Sequence, residues 1–141
     1  MTQIVGFVGS TVSMTSKQLL TLTRLLRSLD FDLFHTSRHD GADGQARALV
    51  MSETDARIVV HKSITAEGDS FVNQRVSIQN YGDDLEATSA VLAASELVLF
   101  LSPPELNYNA PCRTVMALKE AAHRNKQIMV IRENGEMIRY D

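Results

Sequence analysis

The feature that most constrains the fold is a run of five consecutive apolar residues, Leu97–Leu101, followed by Ser102 and two prolines. An uninterrupted apolar strand is typical of the centre of a parallel sheet, where both faces are buried. Residues 4–8 and 127–131 are predicted as further strands of the same sheet. Helices are therefore expected on both of its sides.

Segments with helical spacing alternate with the strands. Leucines at positions 19, 22, 26 and 29 mark one face of a helix over residues 16–29, with Ser16 as a candidate N-cap. Residues 62–83 show the least periodicity and are predicted as a long loop with a short helix around residues 71–79. The other predicted elements are strands at 31–35 and 56–61, helices from Asp43 to about 52, at 84–95 and at 113–124, and a last hairpin strand at 137–140.

This alternation predicts an α/β fold, a single Rossmann-like domain over residues 1–141. The expected sheet is mostly parallel and five-stranded, in the order 3-2-1-4-5 of the predicted strands. Helices flank it, and the hairpin strand lies at its C-terminal edge. In such sheets ligands bind beyond the carboxyl ends of the strands, where the winding reverses. Here the reversal lies between the first and fourth predicted strands.

Composition narrows the classes of function. Hydrophobic residues make up 44% and charged residues 22% of the chain, as in a soluble globular domain. The net charge of −3 argues against a protein that grips nucleic-acid backbones, so no direct nucleic-acid binding is expected. Cys112 is the single cysteine, which excludes an internal disulfide and favours a reducing compartment. Without a membrane-length apolar run or a recognisable signal peptide, we expect no membrane partner and a cytoplasmic location.

Glycine-rich connectors follow the predicted strands and hold the first candidate ligand residues. Gly9 lets backbone amides approach a phosphate, and the hydroxyls of Ser10 and Thr11 add donors; a plain turn is the alternative. After a tight turn at Gly41, Asp43 either caps the next helix or accepts hydrogen bonds from a ribose or base.

Later connectors supply the remaining candidates. Arg75 is either an arm for a phosphate or base, or a partner of a surface carboxylate such as Asp69. Asn107 and Tyr108 offer an amide and an aromatic face to a nucleobase, although Tyr108 equally suits a loop anchor. Arg113, at the start of the last helix, either makes a bidentate contact with phosphate or is an exposed first-turn residue.

The histidines do not have metal-ligand spacing, so neither a metal nor another cofactor is expected. His35 and His61 end neighbouring predicted strands and can both face the crevice, although a satisfied structural role is favoured. Cys112 is predicted to be unreactive, because no histidine can be assigned as its base.

Several short motifs occur in order along residues 4–131. They are Gly9-Ser10, Gly41-Ala42-Asp43, Asn73-Gln74-Arg75, Ala93-Ala94-Ser95-Glu96 and Arg113-Thr114. As an ordered set they resemble the SLOG superfamily, Rossmann-like proteins that include the Lonely Guy phosphoribohydrolases and DprA-type DNA-processing proteins. The resemblance implies nucleotide binding. Its motif residues among the candidate ligand contacts are Gly9, Ser10, Gly41, Asp43, Arg75, Arg113 and Thr114. It also implies a homo-oligomer, either a dimer or a tetramer.

One departure from the resemblance bears on catalysis. Lonely Guy enzymes carry Pro-Gly-Gly-x-Gly-Thr-x-x-Glu, whereas residues 109–117 lack these glycines and have Ala117 in place of the catalytic Glu; the nearest acid is Glu120. We therefore expect the chain to bind or sequester a nucleotide or nucleotide-derived signal, such as a cyclic or ADP-ribose-type molecule, without catalytic residues. Two alternatives stay open. One is an enzyme acting on N-glycosidic bonds, of the phosphoribohydrolase or nucleoside deoxyribosyltransferase type, with Glu120 or Asp43 as the acid. The other is a protein-interaction adaptor.

Overall fold

The computed structural model describes residues 2–9, 13–37, 41–63, 75–101 and 113–140. Within these ranges seven strands form one sheet, and two pairs of helices cover it. The strands are β1 (Gln3–Val8), β2 (Phe31–Ser37), β3 (Arg57–Ser63), β4 (Val76–Tyr81), β5 (Leu97–Leu101), β6 (Gln127–Ile131) and β7 (Met137–Tyr140). The helices are α1 (Ser16–Ser28), α2 (Ala42–Glu53), α3 (Asp84–Ala94) and α4 (Arg113–His123).

The strand order is β4-β3-β2-β1-β5-β6-β7, and every neighbouring pair is parallel except the β6–β7 hairpin. The predicted α/β class, the mostly parallel sheet flanked by helices and the C-terminal hairpin are confirmed. The five strands predicted as parallel neighbours adjoin one another in the predicted order, as β3-β2-β1-β5-β6. The predicted strand number is wrong, because the sheet also includes β4.

β4 is an edge strand where the sequence predicted a short helix around residues 71–79. It pairs in parallel with β3, with Val76 opposite Ile58. Its apolar residues alternate with exposed ones: Val76 is buried, whereas Ser77 and Gln79 are exposed. This period of two is the signature of a strand with one face on the core, and an edge position tolerates the polar residues that obscured it. Residues 71–74 lie outside the described part of the chain.

Two apolar layers hold the helices on the sheet, and successive strand residues alternate between them. The layer beneath α1 and α2 includes Phe7, Leu22, Leu26, Phe34 and Ile58. The layer beneath α3 and α4 includes Val8, Val91, Leu92, Phe100 and Ala121. At Gly6 a Cβ atom would overlap the side chain of Ser95, so the missing side chain lets the C-terminal end of α3 lie directly against β1.

The helix starts differ in detail from the expectation. The N-cap of α1 is Thr15 rather than Ser16, and α2 is preceded by Gly41, with Asp43 inside its first turn instead of capping it. β2 continues to Ser37, two residues beyond its predicted end. Among the described residues, no helix is both long enough and apolar enough to span a membrane.

Candidate functional site

The carboxyl edge of the sheet has the geometry of a ligand crevice at the boundary between β1 and β5. These strands are neighbours. The helices that follow β1 in sequence, α1 and then α2, pack on one face, whereas α3 and α4 pack on the other. A crevice forms beyond the carboxyl ends of strands where successive helices switch faces in this way. The predicted position of the reversal is therefore present in the strand order.

Asp43 ties the end of β1 to the end of β2. Its Oδ1 accepts the backbone N–H of Gly9 at 2.9 Å, and its Oδ2 accepts the hydroxyl of Ser37 at 2.5 Å. Asp43 is completely buried. A buried carboxylate is retained only when hydrogen bonds compensate its loss of water, and here the donors come from two strands. Asp43 thus fixes the start of α2 over both strand ends, a role that neither interpretation of the sequence contained.

Gly9 is required where β1 meets α2. A Cβ atom on Gly9 would lie 2.8 Å from Cβ of Ala42 and 3.0 Å from Oδ1 of Asp43. The 2.8 Å approach is closer than Cβ atoms come in proteins, so a larger residue would require α2 or β1 to shift. The glycine therefore serves a close backbone approach, which the sequence analysis had assigned to a phosphate and the structure shows toward α2.

The N-terminus of α2 begins without a side-chain cap. Gly41 occupies the N-cap position with φ of 76°, in the region that favours glycine, and no side-chain cap hydrogen bond forms there within the described residues. Arg47, one turn into α2, donates from Nη1 to the carbonyl of Ser37 at 2.9 Å. This places a guanidinium near the carboxyl end of β2. An N-terminus with backbone N–H groups and nearby positive charge is suited to an anion.

A line of hydrogen-bonded polar side chains crosses the sheet beneath α3. Nδ1 of His35 lies 2.8 Å from Nε2 of His61, and Nδ1 of His61 lies 2.8 Å from the hydroxyl of Tyr81. The hydroxyl of Tyr81 donates to Oε1 of Gln79 at 2.9 Å. His35 is 6% exposed and His61 2% exposed. The line therefore runs from the buried interior at β2, through β3, to the carboxyl end of the edge strand β4.

The direction of the hydrogen bonds fixes the tautomers of both imidazoles. Because the Tyr81 proton is donated to Gln79, the phenolic oxygen accepts from Nδ1–H of His61. Neutral His61 then has a lone pair at Nε2, which accepts from Nδ1–H of His35. Both histidines are inferred to be neutral Nδ1–H tautomers, and Nε2 of His35 carries the lone pair at the inner end of the line.

Burial keeps this line neutral near pH 7. Desolvation lowers the pKa of His35, and desolvation together with the neighbouring His35 lowers the pKa of His61 to about 4. Burial raises the pKa of the Tyr81 phenol. Each shift favours the uncharged form of its group. The structure therefore places His35 and His61 on the same face of the sheet, as the sequence allowed, and each imidazole is a hydrogen-bond partner of the other.

Arg75 lies at the opposite edge of the sheet from Gly9 and Asp43. It directly precedes β4, and its carbonyl accepts the N–H of Ile58 at the amino end of β3. Its guanidinium donates to the carbonyls of Met51, Thr54 and Ala56, at distances from 2.7 to 3.3 Å. These bonds fasten the turn between α2 and β3. Arg75 therefore has a structural position away from the crevice, and we leave it out of the proposed binding site.

The other predicted site residues divide between the described and undescribed parts of the chain. Ser10, Thr11, Asn107 and Tyr108 lie outside the described residues, as do Asp69 and Cys112. Arg113 begins α4, and its side chain is likewise not described; Thr114 is buried in the first turn of that helix. Since α4 follows β5 in a parallel crossover, its first turn begins at the same edge as Gly9.

Glu120, the acid considered for the enzyme alternative, lies away from this edge. It lines a shallow groove between α3 and α4 with Leu85 and Met116. One of its oxygens accepts the hydroxyl of Ser89 at 2.9 Å, and the other lies 3.8 Å from Nε of Arg124. Among the described residues, no group of three or more His, Cys, Asp and Glu side chains is arranged to hold a metal ion.

Sequence reasoning missed Ser37 and Tyr81. Ser37 follows the predicted end of the second strand, although it is the last residue of β2 and its hydroxyl donates to the buried carboxylate of Asp43. Tyr81 was hidden in the long segment for which no strand was predicted. The usable signal was the pair of histidines at the ends of adjacent strands, because two polar residues there need partners on the same face.

Compared with known proteins, the chain matches no protein-family model and no curated protein. The resemblance to the SLOG superfamily therefore stays a prediction from the ordered motifs.

Proposed function

We propose that the chain binds a nucleotide or a nucleotide-derived signalling molecule at the carboxyl edge of the sheet and carries out no chemistry on it. The observation that carries this proposal is the junction of β1, β2 and α2. There a buried Asp43 aligns the uncapped start of α2 with the strand ends beside the reversal point. Backbone amides at such a position bind phosphate in many α/β proteins. The SLOG resemblance, which we propose as the family, implies the same ligand class.

Positive charge near the edge supports an anionic ligand. Arg47 contacts the carboxyl end of β2, and Lys62 is the penultimate residue of β3, where it is only 7% exposed. Although the chain as a whole carries a net charge of −3, these two cations lie toward the carboxyl edge of the sheet. Local charge of this kind attracts a small anion without the broad basic surface that nucleic acids require.

The residues of α4 support binding without chemistry. Ala117, at the position of the catalytic Glu in the Lonely Guy motif, is a buried apolar residue in the core beneath α4. Glu120 is engaged by Ser89 in the groove between α3 and α4. We therefore favour binding over cleavage of an N-glycosidic bond.

Native mass spectrometry of freshly purified protein, followed by calorimetry with a nucleotide panel, tests the proposal. We expect a nucleotide to co-purify or to bind. Arg113→Ala is expected to weaken binding about tenfold or more, since a hydrogen bond to a charged group contributes about 1.5–3 kcal/mol. Arg139→Ala, at an exposed position on β7, is the matched control and should bind normally. Folded protein that binds no member of the panel would overturn the proposal.

We also propose self-association through the exposed groove between α3 and α4. Leu85 is 57% exposed and Met116 48% exposed, and both line this groove. Two large apolar residues side by side on the surface favour burial against a second copy. Light scattering should show a dimer or tetramer for the wild type and a smaller species for Met116→Lys. A wild-type monomer at all concentrations would contradict this.

A further inference from the structure

We propose that the outer edge of β7 pairs with β7 of a second copy of this chain, so that two sheets join through an antiparallel strand pair. This surface is separate from the proposed nucleotide site and from the contact proposed between α3 and α4. The inference is carried by the backbone groups that β7 turns outward, by the apolar side chains on both sides of the strand, and by complementary charges at its ends.

Within the part of the chain that the structure describes, the backbone of β7 is bonded on one side only. β7 is the last strand of the sheet and pairs with β6 without a bulge. The N–H of Arg132 donates to the carbonyl of Glu136 at 2.8 Å, so these two residues form a hydrogen-bonded pair. Because bonded and non-bonded pairs alternate along an antiparallel ladder, Met137 and Arg139 direct their N–H and C=O groups away from β6. Outward groups of this kind are a template for another strand.

Exposed apolar side chains flank this edge on both faces of the sheet. Met137 is 41% exposed and lines a groove against α1 with Thr21 and Leu25. Tyr140 is 49% exposed and lines a groove against α4 with Ala122. At the opposite edge of the sheet, the exposed side chains of β4 are all polar. A strand added to β7 therefore covers apolar groups on both faces, which a strand added to β4 would not do.

Charge and strand length select the register of the pairing. With Ile138 opposite its own copy on the twofold axis, Met137 lies opposite Arg139 of the second copy. Each of these symmetric pairs exchanges its N–H and C=O groups, which gives about four backbone hydrogen bonds. An axis at Arg139 would place two like charges directly opposite each other, which destabilises a strand pair. An axis at Met137 would place Arg139 opposite the hairpin turn and lose bonds.

Opposite charges meet at both ends of the paired strands. Tyr140 pairs with Ile128 of the core layer beneath α4, and Glu136, four residues earlier in the chain, lies on the same face. In the selected register Glu136 is opposite Tyr140 of the second copy. Lys126 lines the groove beside Tyr140, so the carboxylate of each copy reaches the ammonium of the other. Glu136 can turn toward it, because its contact with Arg132 is 3.9 Å long and both side chains are more than half exposed.

The α1 face contributes an apolar contact and one opposing charge. The aliphatic stem of Arg139 covers Met137 of the second copy. Arg24 lines the same groove and repels the incoming guanidinium, although its side chain is exposed and salt screens the repulsion. With few backbone bonds and exposed ion pairs, we expect a dimer that dissociates on dilution.

Cysteine cross-linking tests the register directly. Ile138→Cys in a Cys112→Ser background places two thiols at a non-hydrogen-bonded pair, where the Cα atoms are about 4.5 Å apart and a disulfide can form. We expect mild oxidation to give a cross-linked dimer. Met137→Cys in the same background is the matched control and should cross-link about tenfold more slowly or less, because its thiols face Arg139 rather than each other.

A proline at position 139 tests the backbone bonds. Arg139→Pro removes an N–H that β6 does not use, which an edge strand tolerates, whereas Arg139→Ala keeps that N–H. Both are made in a Met116→Lys background, which removes the α3–α4 contact. Sedimentation over a range of concentrations should show a dimer for Arg139→Ala and a monomer for Arg139→Pro, with thermal unfolding confirming that both fold.

Charge reversal gives a second route that does not alter the backbone. Glu136→Lys and Lys126→Glu should each weaken the dimer about threefold or more, since each change affects two symmetric ion pairs. The two substitutions together should restore most of the affinity. This rescue decides the question if Arg139→Pro fails to fold.

The outcomes separate this proposal from the proposed function. Equal cross-linking at positions 137 and 138, a dimer that persists in Arg139→Pro, or charge reversals without rescue overturns the β7 pairing. An edge that takes up a different polypeptide gives no cross-linked homodimer at position 138 and overturns it as well. Nucleotide affinity, measured on the same samples by calorimetry, should be the same in all these variants, so either proposal can fail without the other.

Discussion

The N-termini of α1 and α2 lie on the same face of the sheet but are held by different chemistry. Around α1 the partners are neutral. Thr15 and Gln18 form a reciprocal capping box, and Nε2 of Gln18 donates to the carbonyl of Ile131 at 3.2 Å. Around α2 the partners are charged, with the carboxylate of Asp43 at the strand ends and the guanidinium of Arg47 on the carbonyl of Ser37. The α1 junction is thus held by neutral hydrogen bonds, whereas the α2 junction depends on a buried carboxylate.

The α1 junction is also closed to ligands by its own side chains. The hydroxyl of Thr15 accepts the N–H of Gln18 and donates to the carbonyl of Glu133, while Oε1 of Gln18 accepts the N–H of Thr15. Such a cap uses amides that an anion would otherwise contact. At α2, Gly41 supplies no side-chain cap, and we propose this helix start as the end that binds the ligand.

Removing the carboxylate of Asp43 should have the largest effect on the difference between the two junctions. Asp43→Ala leaves the Gly9 amide and the Ser37 hydroxyl without their buried acceptor, and we expect a loss of about 3 kcal/mol or more in the free energy of unfolding. Urea denaturation measures it. Asp32→Ala, an exposed position on β2, is the control and should change stability little. Equal effects of the two substitutions would mean that the hydrogen bonds of Asp43 add no more to the free energy of unfolding than an exposed side chain does.

Filling the space at Gly9 should have the next largest effect. Gly9→Ala forces α2 away from β1, because the new methyl group meets Ala42 and Asp43 at 2.8 and 3.0 Å. Overpacking of this kind costs about 1–3 kcal/mol. Thermal unfolding measures the stability, and calorimetry with a bound nucleotide should show weaker binding. A variant as stable as the wild type would show that the junction adjusts freely.

Acid should destabilise the fold through the buried histidine pair beneath α3. The pKa values of His35 and His61 are lowered in the folded protein, so the unfolded chain binds more protons between the ordinary value of 6.5 and about 4. Stability is therefore full above about pH 6.5 and falls as the pH decreases through this window. The slope is at most about 1.4 kcal/mol per pH unit for each histidine.

Urea titrations across this pH window measure the acid effect. His61→Gln should flatten the profile, and His123→Gln should not. A wild-type profile already flat in this range would contradict the buried neutral pair.

Weakening the α1 cap should have the smallest effect of the four. Thr15→Ala removes one capping hydrogen bond and the bond to Glu133, for which we expect a loss of about 1 kcal/mol. Nucleotide affinity should not change, because this junction lies at the other helix. Calorimetry and urea denaturation on the same sample check both statements. A change in affinity without a change in stability would mean that the start of α1, rather than that of α2, binds the ligand.

Much of the fold could be predicted because apolar runs mark buried strands directly. The spans of β5, β6 and β7 match the predicted residues, since each has sharp polar boundaries. β4 could not be predicted in this way. Its residues alternate between core and solvent at a sheet edge, and its pairing with β3 is fixed by tertiary contact rather than local pattern.

The candidate site was predictable in outline and not in its contacts. Gly9 and Asp43 were identified from their places after strands, and the structure joins them by a hydrogen bond. For Arg75, a single sequence does not reveal that its guanidinium donates to backbone carbonyls at the amino edge of the sheet. A short motif shows which residue types lie near strand ends. The hydrogen-bond partners of those residues depend on the strand order, which the motif does not contain.

The bond between Thr15 and the carbonyl of Glu133 joins positions 118 residues apart, and the hydroxyl of Thr21 makes a similar bond to Gly135. Helix α1 therefore cannot complete its hydrogen bonds until the turn before β7 is present. Bringing together residues this far apart closes a large loop, and such non-local contacts slow folding relative to contacts between neighbouring residues.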